Sequence, residues 1–290
     1  MSNLYHKKLK IFQDIVRDNK CPNFKDGACS IRKDSKCRCD TYAEILVTEN
    51  HVLPREEIYR LATFSMLDGR ERNISNGQAT GNKLLKSSVL VEIKEKLSKY
   101  FWDNNLPTNI DDEARLVRSS SCMLDRMKKA QDLMIYDKDV TYRSKNSYSI
   151  KKTTPRKGKT LIASVAMRHA IYSIGASNDP LYFKWIKYPR LISMLKDFKD
   201  MDNDVDDCMT ADWLVIDDIY IDQKATAQNR AFIKERFDYF LSTRKDFYQK
   251  PTIFVCNLSL DDEEMDLQDI LGVTIDNIYS SCAEYQKISL

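Results

Sequence analysis

Apolar and polar positions follow two rhythms along the chain. Over the first 140 residues or so the rhythm is helical. Leu9, Phe12 and Val16 share one face and predict a short amphipathic helix. Pro54 suits a first helical turn, with Ile58, Leu61, Ala62 and Met66 following at helical spacing. A further helix is predicted over residues 84–102, with Val89, Ile93, Leu97 and Phe101 on one face. Between these two helices, GRERNISNGQATG (69–81) holds three of the chain's seven glycines and predicts a loop or linker.

From about residue 146 short apolar runs alternate with helical stretches. LYFKWIKY (181–188), WLVIDDIY (213–220) and TIFVCNLS (252–259) predict strands. Residues 160–174 predict a helix stopped by Gly175. Residues 225–245 predict another, with Phe232, Ile233, Phe237, Phe240 and Leu241 facing a core. Strands alternating with helices imply an α/β fold, a mostly parallel sheet covered on both faces. The expected division is an N-terminal unit over 1–45, a helical linker region over 46–140 and the α/β core over 141–290.

Composition narrows the class. Hydrophobic residues make up 42% of the 290, enough for a real core, so wholesale disorder is excluded. No apolar run reaches the roughly 18–20 residues of a membrane span. MSNLYHKKLKIFQD has no apolar segment of a secretory leader, so a cytoplasmic protein is expected. Net charge is only +3, but it is unevenly placed. Residues 141–170 carry eight Lys/Arg and no acid, whereas 200–222 and the stretch from Leu258 onward are acidic. That asymmetry predicts internal pairing, a polar binding face, or simply solvated loops.

The basic segment contains the candidate chemistry. TTPRKGKT (153–160) matches the phosphate-loop pattern G-x-x-x-x-G-K-[ST] at Gly158, Lys159 and Thr160, with Thr153 in place of the first glycine. Such a loop turns backbone N–H groups of Thr153, Arg156, Lys157, Gly158 and Leu161 toward phosphate, aided by the dipole of the helix that follows. Lys159 would reach the β- and γ-phosphates, and the Thr160 hydroxyl would hold Mg²⁺. WLVIDDI then ends an apolar strand in two acids. Asp217 is placed to bind Mg²⁺ and Asp218 to orient an attacking water. Asn257, after TIFVC, would contact the γ-phosphate or that water. All three fall at strand ends, where open α/β sheets bind ligands. Glycine is scarce at 7 of 290, and Gly158 is the one glycine left in the loop. A β-branched threonine resists positive φ, so weaker binding or slow hydrolysis is expected.

The run from the GKT helix through YFKWIKYPRLISMLKDF, ADWLVIDDIY and KPTIFVCNLSL resembles the DnaC/DnaI-type helicase loaders, AAA+ ATPases close to the IstB transposition helpers. The resemblance covers about residues 146–282. It implies a P-loop AAA+ core without a C-terminal lid, ATP and Mg²⁺ as ligands, and weak ATPase activity. It also implies binding to a replicative hexameric DnaB-type helicase, delivery of that helicase to single-stranded DNA, and assembly as a homo-oligomer on the helicase. Many such loaders carry an N-terminal C-P-x-C-x-D-G-x-G…C-x-C pattern, and Cys21-Pro22-Asn23-Phe24-Lys25-Asp26-Gly27-Ala28-Cys29 leading to Cys37-Arg38-Cys39 is similar to it. Phe24 stands at the second cysteine, and no arginine beyond Arg244 matches an arginine finger.

Four of eight cysteines, Cys21, Cys29, Cys37 and Cys39, cluster near the N-terminus. Four thiolates suit tetrahedral Zn²⁺, and a segment so short has little core without a metal. An iron–sulfur cluster or a reduced, metal-free cluster is the alternative. Of the basic segment, Lys159 serves the nucleotide phosphates, while Arg143, Lys145, Lys151 and Lys152 suit the backbone of single-stranded DNA or form a solvated face. Two rivals to a loader stay open: an IstB-like transposase-helper ATPase, and a nucleotide-binding adaptor without significant hydrolysis.

Overall fold

The fold is that of a computed structural model, which describes residues 24–25, 28–29, 52–54, 59, 87–103, 131–137, 141–142, 151–152, 158–174, 182–196, 203–220, 226–258, 260 and 267–290. In chain order, Phe24–Lys25 (β1) and Ala28–Cys29 (β2) form an antiparallel pair around Asp26-Gly27. Ser87–Asp103 is helix α1 and Leu133–Tyr136 strand β3. Thr141–Tyr142 (β4) pairs antiparallel with Lys151–Lys152 (β5). Then come Lys159–Ile174 (α2), Phe183–Lys187 (β6), Tyr188–Lys196 (α3), Asn203–Thr210 (α4) and Trp213–Ile219 (β7). Ala227–Ser242 (α5) runs into a wider π-type turn, Thr243–Tyr248. Thr252–Cys256 (β8), Leu267–Leu271 (α6), Val273–Ser281 (α7) and Lys287–Ser289 (β9) complete the described chain.

Five of these strands form one parallel sheet in the order β6-β7-β8-β3-β9. Strands covered on both faces must be apolar on both sides. All four residues of β3 and all five of β8 are buried. Alternate side chains serve two separate cores. Leu133, Ile135, Trp213, Val215, Ile253 and Val255 point to the face that holds α1 and α2. Met134, Tyr136, Leu214, Ile216, Phe254 and Cys256 point to the opposite face, against α3, α4, α5, α6 and α7. Residues 161–167 of α2 are all buried in the core that α2 shares with the sheet and α1.

The α/β class with a parallel sheet flanked by helices is as expected. β6, β7 and β8 fall inside the three apolar runs, and α2 begins at the GKT segment. Two strands of this five-stranded sheet were not anticipated. β3 lies upstream of the expected core boundary at 141, so the sheet takes in part of the region read as helical. β9 is a three-residue edge strand paired to β3. In α5, Phe237, Phe240 and Leu241 are buried, but Phe232 is exposed at 37%. It lies on the outer side of the helix, with the Arg236 guanidinium 5.1 Å from its ring centroid. Residues 203–207 of the acidic run lie in α4, and Asp204 and Asp207 pair with Lys184, Asp204 also with Arg190. These acids are thus paired internally, but with bases of β6 and α3 rather than of the basic segment 141–170.

The N-terminal edge of the sheet is tied by a buried polar network. Arg244, in the π-type turn, is 1% exposed. It donates to Thr252 Oγ1 at 2.8 Å and to the carbonyls of Cys208, Met209, Ala211 and Pro251 at 3.0, 2.9, 2.7 and 2.5 Å. Asp132 accepts from the Thr252 N–H at 2.8 Å and pairs with Lys245. The Asp132 carbonyl accepts from Gln286 Nε2 at 2.8 Å. Next to them, Asp212 takes the Tyr182 N–H at 2.7 Å and Lys250 Nζ at 2.6 Å.

Candidate functional site

At the opposite, C-terminal edge the polar groups have a different character. β3 is followed by α2 on one face of the sheet, and its neighbour β8 by α6 on the other. Adjacent strands whose connections leave to opposite faces open a crevice at their C-terminal ends. The N-terminus of α2 faces this edge. Gly158 precedes it with φ +89°, a conformation open to glycine but not to a side-chain residue without strain. The Gly158 carbonyl accepts the Ile162 N–H at 3.0 Å and starts the helix. Lys159 opens α2, and its amine donates to both Asp137 carboxylate oxygens, at 2.8 and 2.9 Å. The Lys159 and Asp137 side chains are 5% and 0% exposed.

The end of β7 brings the two predicted acids to the same place. Relative to β8, the strand gains a residue between Ile216 and Ile219, a β-bulge. Within it Asp218 takes a left-handed φ of +61°. The bulge gives the two carboxylates different surroundings. Asp217 is 1% exposed and accepts from Thr160 Oγ1 at 3.3 Å and from the Asp218 N–H at 2.9 Å. Asp218 receives Lys187 Nζ at 2.9 Å on one oxygen and Asn257 Nδ2 at 3.3 Å on the other. Burial, with the Asp218 charge second, pushes the Asp217 carboxyl up to about 6, partly offset by Lys187.

Thr160, Asp217, Asp218 and Asn257 thus converge along one sheet edge, with Lys159 at the head of α2 beside them. Leu161 lies in the core with its side chain buried, which leaves only its backbone for a phosphate. Thr153, Arg156 and Lys157 lie outside the described residues, as do Arg143 and Lys145. Lys151 and Lys152 form β5. Two participants were not anticipated: Asp137, directly after β3, and Lys187, the last residue of β6. Asp137 does leave a signal in the sequence, since LMIYD ends an apolar tetrad in an acid just as WLVIDD does.

The donor set fits a hard divalent cation. A hydroxyl and a buried carboxylate 3.3 Å apart are oxygen ligands of the kind Mg²⁺ takes, and a carboxylate held above its ordinary range gains from a cation beside it. The proposed thiolate site has no such support. Cys21, Cys37 and Cys39 lie outside the described residues, and Cys29 is described only as the end of β2. Among the described residues no group of three or more His, Cys, Asp or Glu side chains is placed to hold a metal. Cys208, Cys256 and Cys282 are buried free thiols, and burial pushes them up to about 11, 12 and 12. They are correspondingly unreactive.

Fold and site together define an α/β protein with a five-stranded parallel sheet between helices and a phosphate-loop-like helix start at its C-terminal edge. No known protein family and no curated protein matches the sequence. Among solved structures, the crystal structure of DnaI is similar with a TM-score of 0.36 and 14% identity, covering 77% of this chain and 86% of that one. Among the described residues no helix is long and apolar enough to cross a membrane.

Proposed function

We propose that the chain binds ATP with Mg²⁺ at this edge and acts as an ATP-dependent loader of a replicative hexameric DnaB-type helicase onto single-stranded DNA. The observation that carries the nucleotide part is the convergence of Lys159, Thr160, Asp217, Asp218 and Asn257 on one sheet edge. The sequence likeness to DnaC/DnaI-type loaders supports the loader part. In this reading Lys159 holds the β- and γ-phosphates, while Thr160 and Asp217 hold Mg²⁺, which would neutralise phosphate charge. Asp218 and Asn257 orient a water. The water oxygen attacks the γ-phosphorus, the bond to the β–γ bridging oxygen breaks, and ADP leaves with that oxygen's electron pair. Asp218 accepts the water's proton. Lys187 holds Asp218 until then. Arg143, Lys145, Lys151 and Lys152 contact the DNA backbone, and Cys21, Cys29, Cys37 and Cys39 hold zinc in a helicase-docking unit over 1–45.

One observation favours a second reading, a nucleotide-binding adaptor without significant hydrolysis: Lys159 is already engaged by Asp137. Both readings are tested on the purified full chain, by ATP turnover with and without single-stranded DNA and co-purification with the helicase of the same organism. The loader reading expects DNA-stimulated turnover that Lys159→Ala lowers by about 10²–10³-fold, helicase capture, and one bound zinc. Turnover unchanged by Lys159→Ala sinks the assigned site. Helicase capture with no turnover selects the adaptor.

A further inference from the structure

The geometry points to Asp137 as an internal substitute for phosphate: its carboxylate holds the Lys159 amine whenever no nucleotide does, and ATP binds by displacing it. This rests on the nucleotide reading above and names how that site is regulated.

Three observations carry it. The first is the form of the contact. An ammonium has three hydrogens to donate. Two of them go to the two oxygens of one carboxylate, at 2.8 and 2.9 Å. Asp137 therefore offers Lys159 what two phosphate oxygens would. The pair is shut away from water, so its attraction is little screened.

The second is position. In strand–loop–helix phosphate sites the loop leaves the strand directly and begins with a glycine, so that nothing fills the space phosphate needs. Here the residue directly after β3 is Asp137, and the β4–β5 hairpin comes before Gly158. The Asp137 backbone N–H donates to the Leu258 carbonyl at 3.1 Å, which pins its backbone between β3 and β8. The side chain that follows the strand thus points at the head of α2.

The third is the charge balance. Among the described residues, three carboxylates, Asp137, Asp217 and Asp218, face two amines, Lys159 and Lys187, and each amine is already held by a carboxylate. A triphosphate added to this set meets net negative charge unless a carboxylate gives way or Mg²⁺ arrives with it. Since Lys159 cannot serve two anions equally, the affinity of the site is the difference between two similar contacts. A carboxylate kept only for folding would stabilise the chain without opposing ATP, and that difference can be measured.

The test is titration of the full chain with a fluorescent N-methylanthraniloyl-ATP and Mg²⁺, comparing wild type, Asp137→Asn, Asp137→Ser, Lys159→Ala and the double Asp137→Asn/Lys159→Ala. A thermal melt confirms folding of each. The expected result is binding about tenfold or more tighter in both Asp137 variants, ~1.4 kcal/mol per tenfold, with the double variant no tighter than Lys159→Ala. Asp137 variants that melt cooperatively and bind no tighter than a binding-competent wild type overturn the inference and leave the nucleotide site standing. So does failure of both Asp137 variants to fold, which makes the pair structural. Absence of binding in wild type and in both folded Asp137 variants overturns the nucleotide reading itself.

Discussion

The two edges of the one parallel sheet bury polar groups to opposite ends. At the N-terminal edge, the Arg244 guanidinium has five acceptors and Asp132 has a backbone donor and a lysine. Most of the partners are main-chain groups, which cannot move away without unfolding the strands. At the C-terminal edge the partners are mostly side chains: Lys159 with Asp137, Lys187 with Asp218, and Thr160, beside one backbone N–H, with Asp217. Two of its contacts stretch to 3.3 Å, and Asp217 is held far above its ordinary range. A buried charge satisfied by backbone fixes a fold. One satisfied by other side chains can exchange its partner for a ligand. The first edge closes the molecule and the second is built to change hands.

Three perturbations test the contrast. Arg244→Met strands four carbonyls in the interior, and unfolding in urea should show a loss of about 3–5 kcal/mol with no route to rescue by nucleotide. A milder loss would mean the network has slack. Next in size is the pH response of Asp217. A carboxyl raised from 3.8 to about 6 on folding holds its proton more tightly in the folded chain. Its contribution is therefore fully present below pH 3.8 and is lost as pH rises through 6. Unfolding measured from pH 4 to 7 should show roughly 2–3 kcal/mol of this loss in wild type. Asp217→Asn should flatten it, and Mg²⁺ should offset it at neutral pH. An identical slope in the variant would move the effect elsewhere. The smallest effect belongs to the half-exposed pair Lys250–Asp212 on the N-terminal edge. Lys250→Met should cost less than about 1 kcal/mol, because solvent screens it. A larger cost would show that the closed network extends to the surface.

Much of the core was legible in the sequence. β7 and β8 are runs of bulky apolar residues, and strands buried on both faces have little freedom to be anything else; β6, at the sheet edge, was marked by its aromatic and β-branched residues between lysines. The acids near the end of β7 and the asparagine after β8 could be read because a polar residue interrupting such a run has few places to go but its end. β3 was missed since four apolar residues amid polar ones fit a helix turn as well as a strand. β9 was missed because Lys-Ile-Ser carries one apolar residue, and only pairing to β3 makes it a strand. The partnership of Lys159 with Asp137 spans 22 residues and depends on how the sheet is ordered, so no local pattern encodes it. Arg244 read only as the last arginine of the chain. Its burial is decided by the carbonyls around it.

The place of β3 between β8 and β9 also sets a schedule for synthesis. Asp132, at the start of β3, waits for Thr252, 120 residues downstream, and for Gln286, 154 residues downstream. A ribosome adding roughly 5–20 residues per second takes on the order of ten seconds to deliver them. During that time both edges of β3 are bare, while β6 and β7 can already pair with each other. β3, the strand that Asp137 follows, can therefore be locked between its neighbours only once Thr252–Cys256 and Lys287–Ser289 have both been made.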